Sequence, residues 1–145
     1  MAVKIREYIS SDRDKICDLF TEFSDYKRDR EFWIWINRII GTDESIVSVA
    51  TDGDEIIGHY AIVPHNLMLN EISIKSGLGI HAFIHPKYRG KVLMYKISEL
   101  AYEIAKKRGI SIIYGFPNFL CLKIIQDRPA FFVMKKPVIA LFIDI

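Results

Sequence analysis

The chain has 145 residues, half of them hydrophobic and 26% charged, with a formal net charge of +2. That length predicts a single domain over 1–145, able to bury about two thirds of the surface of its unfolded chain. No run approaches the ~20 apolar residues that cross a bilayer, and Met1-Ala2-Val3-Lys4-Ile5-Arg6-Glu7 lacks the apolar run of a signal peptide, so a cytoplasmic protein without a membrane partner is expected.

The charge is unevenly divided. Through Ile84 there are 9 Lys+Arg against 14 Asp+Glu; after Ile84 there are 11 against 4. A basic half suits a polyanion, but no recognised nucleic-acid module combines a basic stripe with exposed aromatics here, which favours a small anionic ligand over nucleic acid. Cys17 and Cys121 lie far apart, in no CxxC or metal-ligand spacing, and read as buried reduced thiols with no metal site.

In chain order, Val3 to Ile9 alternates Val3, Ile5, Glu7 and Ile9 against Lys4, Arg6 and Tyr8, which predicts a first strand. Ser11 or Asp12 caps a helix with Ile16, Leu19, Phe20 and Phe23 at helical spacing. A second helix is expected from Arg30 to Ile40, ended by Gly41, although the alternation of Trp33 and Trp35 also fits a strand. Ser45 to Ala50 and Ile56 to Val63 flank Asp52-Gly53-Asp54 as a hairpin, and Leu67 to Leu69 with Ile72 to Ile74 form another around Asn70-Glu71. Gly79 to Ile84 enters a central strand that stops pairing near His85, because Pro86 has no N–H to donate.

From Lys91 to Arg108, Leu93, Ile97, Leu100, Ala101 and Ile104 make one apolar stripe, and Gly109 ends the helix. Ile110 to Tyr114 is almost wholly apolar and reads as a strand covered on both faces. A helical crossover from the preceding strand makes the two parallel. Asn118 caps a short helix through Gln126, and 130–134 and 138–143 supply two last strands. The apolar Val138 to Ile143 strand would extend a homodimer sheet if it lies at an edge.

The stretch Gly77 to Asn118 is therefore strand, turn, helix, strand, with Arg89, Gly90 and Lys91 where the helix begins. Helix-start amides lack intrahelical partners and sit at the positive end of the macrodipole, so this arrangement predicts a site for a phosphate or diphosphate.

The order of elements, with Ile57-Gly58-His59-Tyr60, His85-Pro86-Lys87-Tyr88-Arg89-Gly90-Lys91 and Tyr114-Gly115-Phe116-Pro117-Asn118, resembles the GNAT superfamily of acetyl-coenzyme A dependent N-acetyltransferases, and within it the Eis-like and polysaccharide-associated branch. The resemblance covers essentially the whole chain. It implies an α/β fold with a mixed, mostly antiparallel sheet, a splayed parallel pair at its centre and about four flanking helices. It implies acetyl transfer from acetyl-coenzyme A to a primary amine by direct attack in a ternary complex. Ala82, Phe83 and Ile84 match the positions whose backbone takes the pantetheine arm like an added strand.

Arg89-Gly90-Lys91-Val92-Leu93-Met94 aligns with the family's diphosphate loop, R/Q-x-x-G-x-G/A, and Asn118 matches a cofactor-touching asparagine. Val92 and Met94 depart from the small residues of that pattern, and Ile125 stands where many relatives place a proton-donating tyrosine. Arg128-Pro129-Ala130 likewise replaces the family's usual Leu-Gly-Phe turn. These departures favour the alternative of a non-catalytic acyl-coenzyme A binding or sensing module.

Transfer to an amine needs a group to take its proton and another to protonate the leaving thiolate. His81, among apolar neighbours on the central strand, is either the base or a satisfied core histidine; Gly79, His81, Phe83 and His85 are expected on one face. Tyr114 or a water would replace the missing acid. His59, a weaker rival for the base, reads as structural and His85 as shaping its turn; the resemblance puts Phe32, Trp33 and Trp35 in the region that walls the acceptor site in relatives, but as large aromatics they read as core.

Overall fold

The computed structural model describes residues 2–23, 30–38, 45–118 and 121–123. Among these residues, five strands form one sheet in sequential order: β1 (Lys4–Glu7), β2 (Ile46–Asp52), β3 (Glu55–Leu69), β4 (Ile72–Ile84) and β5 (Ile112–Gly115). All neighbours are antiparallel except β4 and β5, which are parallel because α3 (Lys91–Lys107) carries the chain back between them. Helices α1 (Arg13–Phe23) and α2 (Arg30–Arg38) pack on one face, and α3 on the other. This is the mixed sheet, with its parallel pair and flanking helices, that the sequence predicts.

Strand alternation divides the core between the two faces. Ile46 and Ala50 of β2, Ile57, Tyr60 and Ile62 of β3 and Ile84 of β4 meet Met94, Ile97, Ala101 and Ala105 of α3. Val47, Val49, Ile56 and Ala61 face the other way, onto Ile16, Cys17, Leu19 and Phe20 of α1 and Trp33 of α2. With both faces covered, β2 and the first half of β3 read as continuous apolar runs. Fully buried Ser48 donates to the Ile97 carbonyl at 2.8 Å, tying β2 to α3.

Several expectations need correction. The first strand is shorter than Val3 to Ile9: β1 is an edge, Val3 is 44% and Ile9 54% exposed, and the chain turns into a 3-10 segment at Ser10–Asp12. That turn is held by Asp12, whose carboxylate accepts both Arg6 guanidinium hydrogen bonds, at 2.6 and 2.8 Å, and the Ile9 amide at 2.9 Å. Both predicted hairpins are present, β2 with β3 and β3 with β4, but the second is longer than expected: β3 and β4 pair from Gly58↔Ile84 to Leu69↔Ile72, so Ile72 to Ile84 is one strand. Pro64 is tolerated because β2 starts only opposite Ile62, leaving β3 a single neighbour there. Asn70 and Glu71 both take positive φ, +48° and +67°, as a two-residue hairpin turn requires.

α2 is a helix, so the alternation of its tryptophans does not mark a strand. Of the three aromatics read as core, only Trp33 is buried, with its ring 5.2 Å from that of Tyr8; Phe32 and Trp35 are exposed. β5 begins at Ile112 rather than Ile110, and Ile112 is 43% exposed among the described residues. α3 ends at Lys107, and Gly109 at φ +77° donates to the Lys106 carbonyl.

No helix of the described residues is long and apolar enough to cross a membrane. Cys17 is buried, Cys121 is half-buried, and burial pushes the Cys121 thiol above its ordinary pKa. Gly41, Ile125, Arg128-Pro129-Ala130 and the strands expected at 130–134 and 138–143 lie outside the described residues.

Candidate active site

The parallel pairing of β4 with β5 runs from Ser76↔Ile112 to Gly79↔Gly115 and stops there, while β4 continues to Ile84 beside β3 alone. From Ile80 to Ile84, one edge of β4 therefore has no strand beside it among the described residues. The fork is built from glycines for reasons of space. A Cβ on Gly79 would stand 2.3 Å from the Tyr60 hydroxyl oxygen, and one on Gly115 3.1 Å from the Gly79 carbonyl. Ala82, Phe83 and Ile84, the residues matched to the pantetheine-binding positions, all lie on this open stretch.

β4 also carries a bulge. His59 pairs with Phe83 and Ala61 with Ile80, so His81 and Ala82 oppose Tyr60 alone. His81 sits at φ +54°, a left-handed conformation that costs an L-residue about 1–2 kcal/mol. Its carbonyl accepts a hydrogen bond from Nδ1 of fully buried His59 at 2.9 Å, which fixes the His59 tautomer and holds the bulge. His59 is thus structural, as expected.

The bulge resets the alternation. His81, Phe83 and His85 share the α1 face, with rings 5.5, 5.3 and 4.5 Å from those of Phe20, Phe20 and Phe23. Gly79 does not join them; it faces Tyr60 on the α3 side, and Ile80 takes the α1 side instead. His81 is half-buried, with the Phe32 ring 6.2 Å away on its outer side.

Tyr114 lies one residue before the fork, in register with Leu78. Its hydroxyl is 2.9 Å from Nε2 of His65, whose Nδ1 lies 3.1 Å from the Val63 carbonyl. A carbonyl only accepts, so Nδ1 carries the hydrogen; in neutral His65, Nε2 accepts from Tyr114. This pairing joins β3 to β5 across β4, and no sequence signal marks His65, which lies 49 residues from its partner.

Past Ile84 the chain enters the predicted anion turn. The His85 amide donates to Ile57, the His85 Nδ1 accepts from the Lys87 amide at 3.1 Å, and Pro86–Tyr88 form a 3-10 turn. The Tyr88 hydroxyl donates to Asp52 Oδ2 at 2.8 Å, anchoring the turn to the end of β2. That hydrogen bond raises the Tyr88 pKa, with burial and the charges of Asp52 and Glu55 adding to it. Tyr88 lies within the turn motif, but no sequence signal marks Asp52, 36 residues earlier, as its partner.

α3 starts at Gly90, in extended backbone at φ 175°, with no side-chain cap and no acidic residue in its first turn. The amides of Gly90, Lys91, Val92 and Leu93 precede the first intrahelical hydrogen bond, so their donors face outward. Arg89 is exposed beside them. Val92 is 66% exposed, whereas Met94 is buried at 6% in the core beneath the helix. Met94, expected among the cofactor-binding residues, presents its side chain to the sheet, and helical geometry bonds its amide to the Gly90 carbonyl. Asn118 caps the helical turn at residues 121–123, accepting from the Cys121 amide at 2.9 Å.

The family model for the acetyltransferase (GNAT) domain matches residues 4–121, which include both the open β4 edge and the start of α3. The chain belongs to the GNAT acetyltransferase family. Solved structures agree at the level of the fold. A predicted acetyltransferase with acetyl-CoA from Clostridium acetobutylicum superimposes with a TM-score of 0.72 at 14% identity, covering 92% of this chain and 96% of that one. Glucosamine-6-phosphate N-acetyltransferase from Arabidopsis thaliana gives 0.67 at 18%, covering 94% and 99%. A transcriptional regulator from Bacillus halodurans C-125 gives 0.68 at 17%, covering 93% and 98%. A search of curated proteins finds no match. Within this GNAT domain, no cluster of three or more His, Cys, Asp or Glu side chains suited to a metal is present among the described residues.

Proposed function

We propose that this GNAT domain, a single domain over residues 1–145, transfers an acetyl group from acetyl-coenzyme A to a primary amine by direct attack in a ternary complex. The observation that carries the reading is the continuity of the open β4 edge, Ile80 to Ile84, with the uncapped start of α3. Acetyl-coenzyme A supplies the activated acyl group. Backbone groups of Ala82, Phe83 and Ile84 would hold its pantetheine arm as an added strand. The amides of Gly90, Lys91, Val92 and Leu93, with Arg89, would hold its diphosphate, where donors and helix dipole both favour negative charge.

The residues present suit that ligand. Gly90 has open space where a Cβ would be, and Met94 points into the core. Val92 keeps its amide available although its side chain is larger than the family pattern prefers. Asn118 orders the segment that leaves the fork.

In this reading His81, at the bulge beside the fork, takes the proton of the attacking amine. Tyr114, on the other arm of the fork, returns a proton to sulfur, and His65 orients its hydroxyl. The motifs Ile57-Gly58-His59-Tyr60, His85-Pro86-Lys87-Tyr88-Arg89-Gly90-Lys91 and Tyr114-Gly115-Phe116-Pro117-Asn118 support membership of the Eis-like and polysaccharide-associated branch under the same proposal. Exposed Val92 at the helix start favours a second reading, a module that binds acyl-coenzyme A without turnover.

Calorimetric titration with acetyl-coenzyme A, paired with thiol-release assays over an amine panel, separates the readings. Binding with amine-dependent thiol release supports the transferase, binding alone the sensor, and no binding removes both.

A further inference from the structure

The turn that leads into α3 is fastened to the end of the β2–β3 hairpin at two points. Ala50 pairs with Gly58 and Thr51 with Ile56, so Ile57 is an extra residue in β3, and its carbonyl accepts the His85 amide at 2.8 Å. Three residues on, the Tyr88 hydroxyl donates to Asp52 Oδ2 at 2.8 Å.

The hairpin end is itself braced. Asp52 pairs with Glu55 across a two-residue turn in which Gly53 takes φ +60°, and Lys15 of α1 donates to the Asp54 carbonyl at 2.7 Å. The Tyr88 ring packs on the α3-side core and lies 5.6 Å from that of His85.

Beyond Tyr88 the support thins. Arg89 and Gly90 are extended, at ψ 131° and φ 175°, the Arg89 amide reaches the Pro86 carbonyl only at 3.4 Å, and α3 opens without a side-chain cap. The first fully buried side chain of the helix is Met94. A weakly bonded stretch thus carries the amides assigned above to the diphosphate, and the Tyr88 link fixes where that stretch begins.

Asp52 is an unfavourable choice for a plain structural acceptor. It is half-buried, and its Oδ1 is buried with no hydrogen-bond partner among the described residues. An asparagine would also accept from the phenol without burying a charged oxygen that lacks a partner. What the carboxylate adds is a stronger, charge-assisted hydrogen bond. A turn made rigid before the ligand arrives loses less conformational freedom on binding.

We propose that Asp52 and Tyr88 are positioning residues for acetyl-coenzyme A: their hydrogen bond holds the 85–90 turn so that the Gly90 to Leu93 amides are preorganised for the diphosphate. The inference rests on the cofactor-binding part of the reading above and adds two residues to it.

The test titrates the full chain with acetyl-coenzyme A in a calorimeter and follows amide hydrogen exchange of the unliganded chain. Tyr88→Phe keeps the packed ring and removes only the donor, so it should melt close to the parent, bind about five- to tenfold more weakly and speed exchange at 86–93 alone. Asp52→Ala should match it, and Asp52→Asn, which retains an acceptor, should lose only about two- to threefold. The double variant of Asp52→Ala and Tyr88→Phe should bind no more weakly than either single one. Should Asp52→Ala melt early, Asp52→Asn takes its place in the cycle.

Parent-like affinity in Tyr88→Phe, additive losses in the double variant, or faster exchange spread through β3 and β4 would overturn the positioning role and leave cofactor binding standing. Failure of the parent chain to bind acetyl-coenzyme A would overturn the cofactor reading, and this inference with it.

Discussion

The two faces of the sheet do different work at the fork. On the α3 side the proposed ligand contacts are backbone: a strand edge with no neighbour among the described residues and four helix-start amides, stapled by Tyr88 to Asp52 and backed by packing of α3 on β2 and β3. On the α1 side the proposed chemistry is carried by side chains, His81, Tyr114 and His65, aimed by a bulge and by hydrogen bonds between distant residues. Backbone recognition tolerates changes in side chain as long as the chain path is kept, so departures from the family's loop pattern at Val92 and Met94 remain compatible with binding. Side-chain chemistry has no such tolerance.

The largest expected effect breaks the α1 side alone. His81→Asn keeps a residue that accepts the left-handed conformation, so it should melt like the parent yet lower kcat by about 10²–10⁴-fold with acetyl-coenzyme A affinity intact. His81→Ala should add a stability loss of about 1 kcal/mol in urea denaturation, because alanine tolerates positive φ less well. An unchanged kcat in both variants returns His81 to the role of a core histidine.

The α3 side is tested by crowding the fork. Gly79→Ala puts a methyl into the Tyr60 hydroxyl and should cost about 1–3 kcal/mol of stability. Tyr60→Phe in the same chain should restore part of it, and a strictly additive double mutant would show that the contact does not set the fork.

Arg89→Ala should weaken acetyl-coenzyme A binding by about tenfold in calorimetry while melting normally, as expected for one charged contact to a diphosphate. An unaltered affinity would leave recognition to the amides.

The smallest effect lies away from both sites. Burial raises the Asp12 pKa, but the Arg6 and Ile9 hydrogen bonds and the nearby charge of Arg6 outweigh it and hold the carboxyl below its ordinary value. A lowered folded pKa means that this stabilisation is complete above the unfolded value of about 3.9 and is lost as pH falls through the folded one. Asp12→Asn should therefore flatten the acid end of the stability profile and leave turnover unaffected.

Much of the fold was legible locally. The apolar stripe from Leu93 to Ile104, the turn residues at 52–54 and 70–71 and Pro86 after the central strand each act within a few positions of themselves. So does the proposed anion site, whose amides follow from where a helix starts. The less legible parts depend on neighbours. Val3 and Ile9 fit a buried strand by alternation but lie at an edge, and Phe32 and Trp35 are aromatic like Trp33 but sit on the outside of the same helix.

Element order, the parallel pair and the start of α3 beside Arg89 and Gly90 thus come from the sequence alone, because periodicity and capping are properties of neighbouring residues. The bulge at His81, the Tyr114 to His65 hydrogen bond, the Tyr88 anchor on Asp52 and the turning of Met94 into the core were decided only in three dimensions. Each depends on which residues, 20 to 50 positions apart, the sheet register brings into contact, and register is set by the packing of both faces at once.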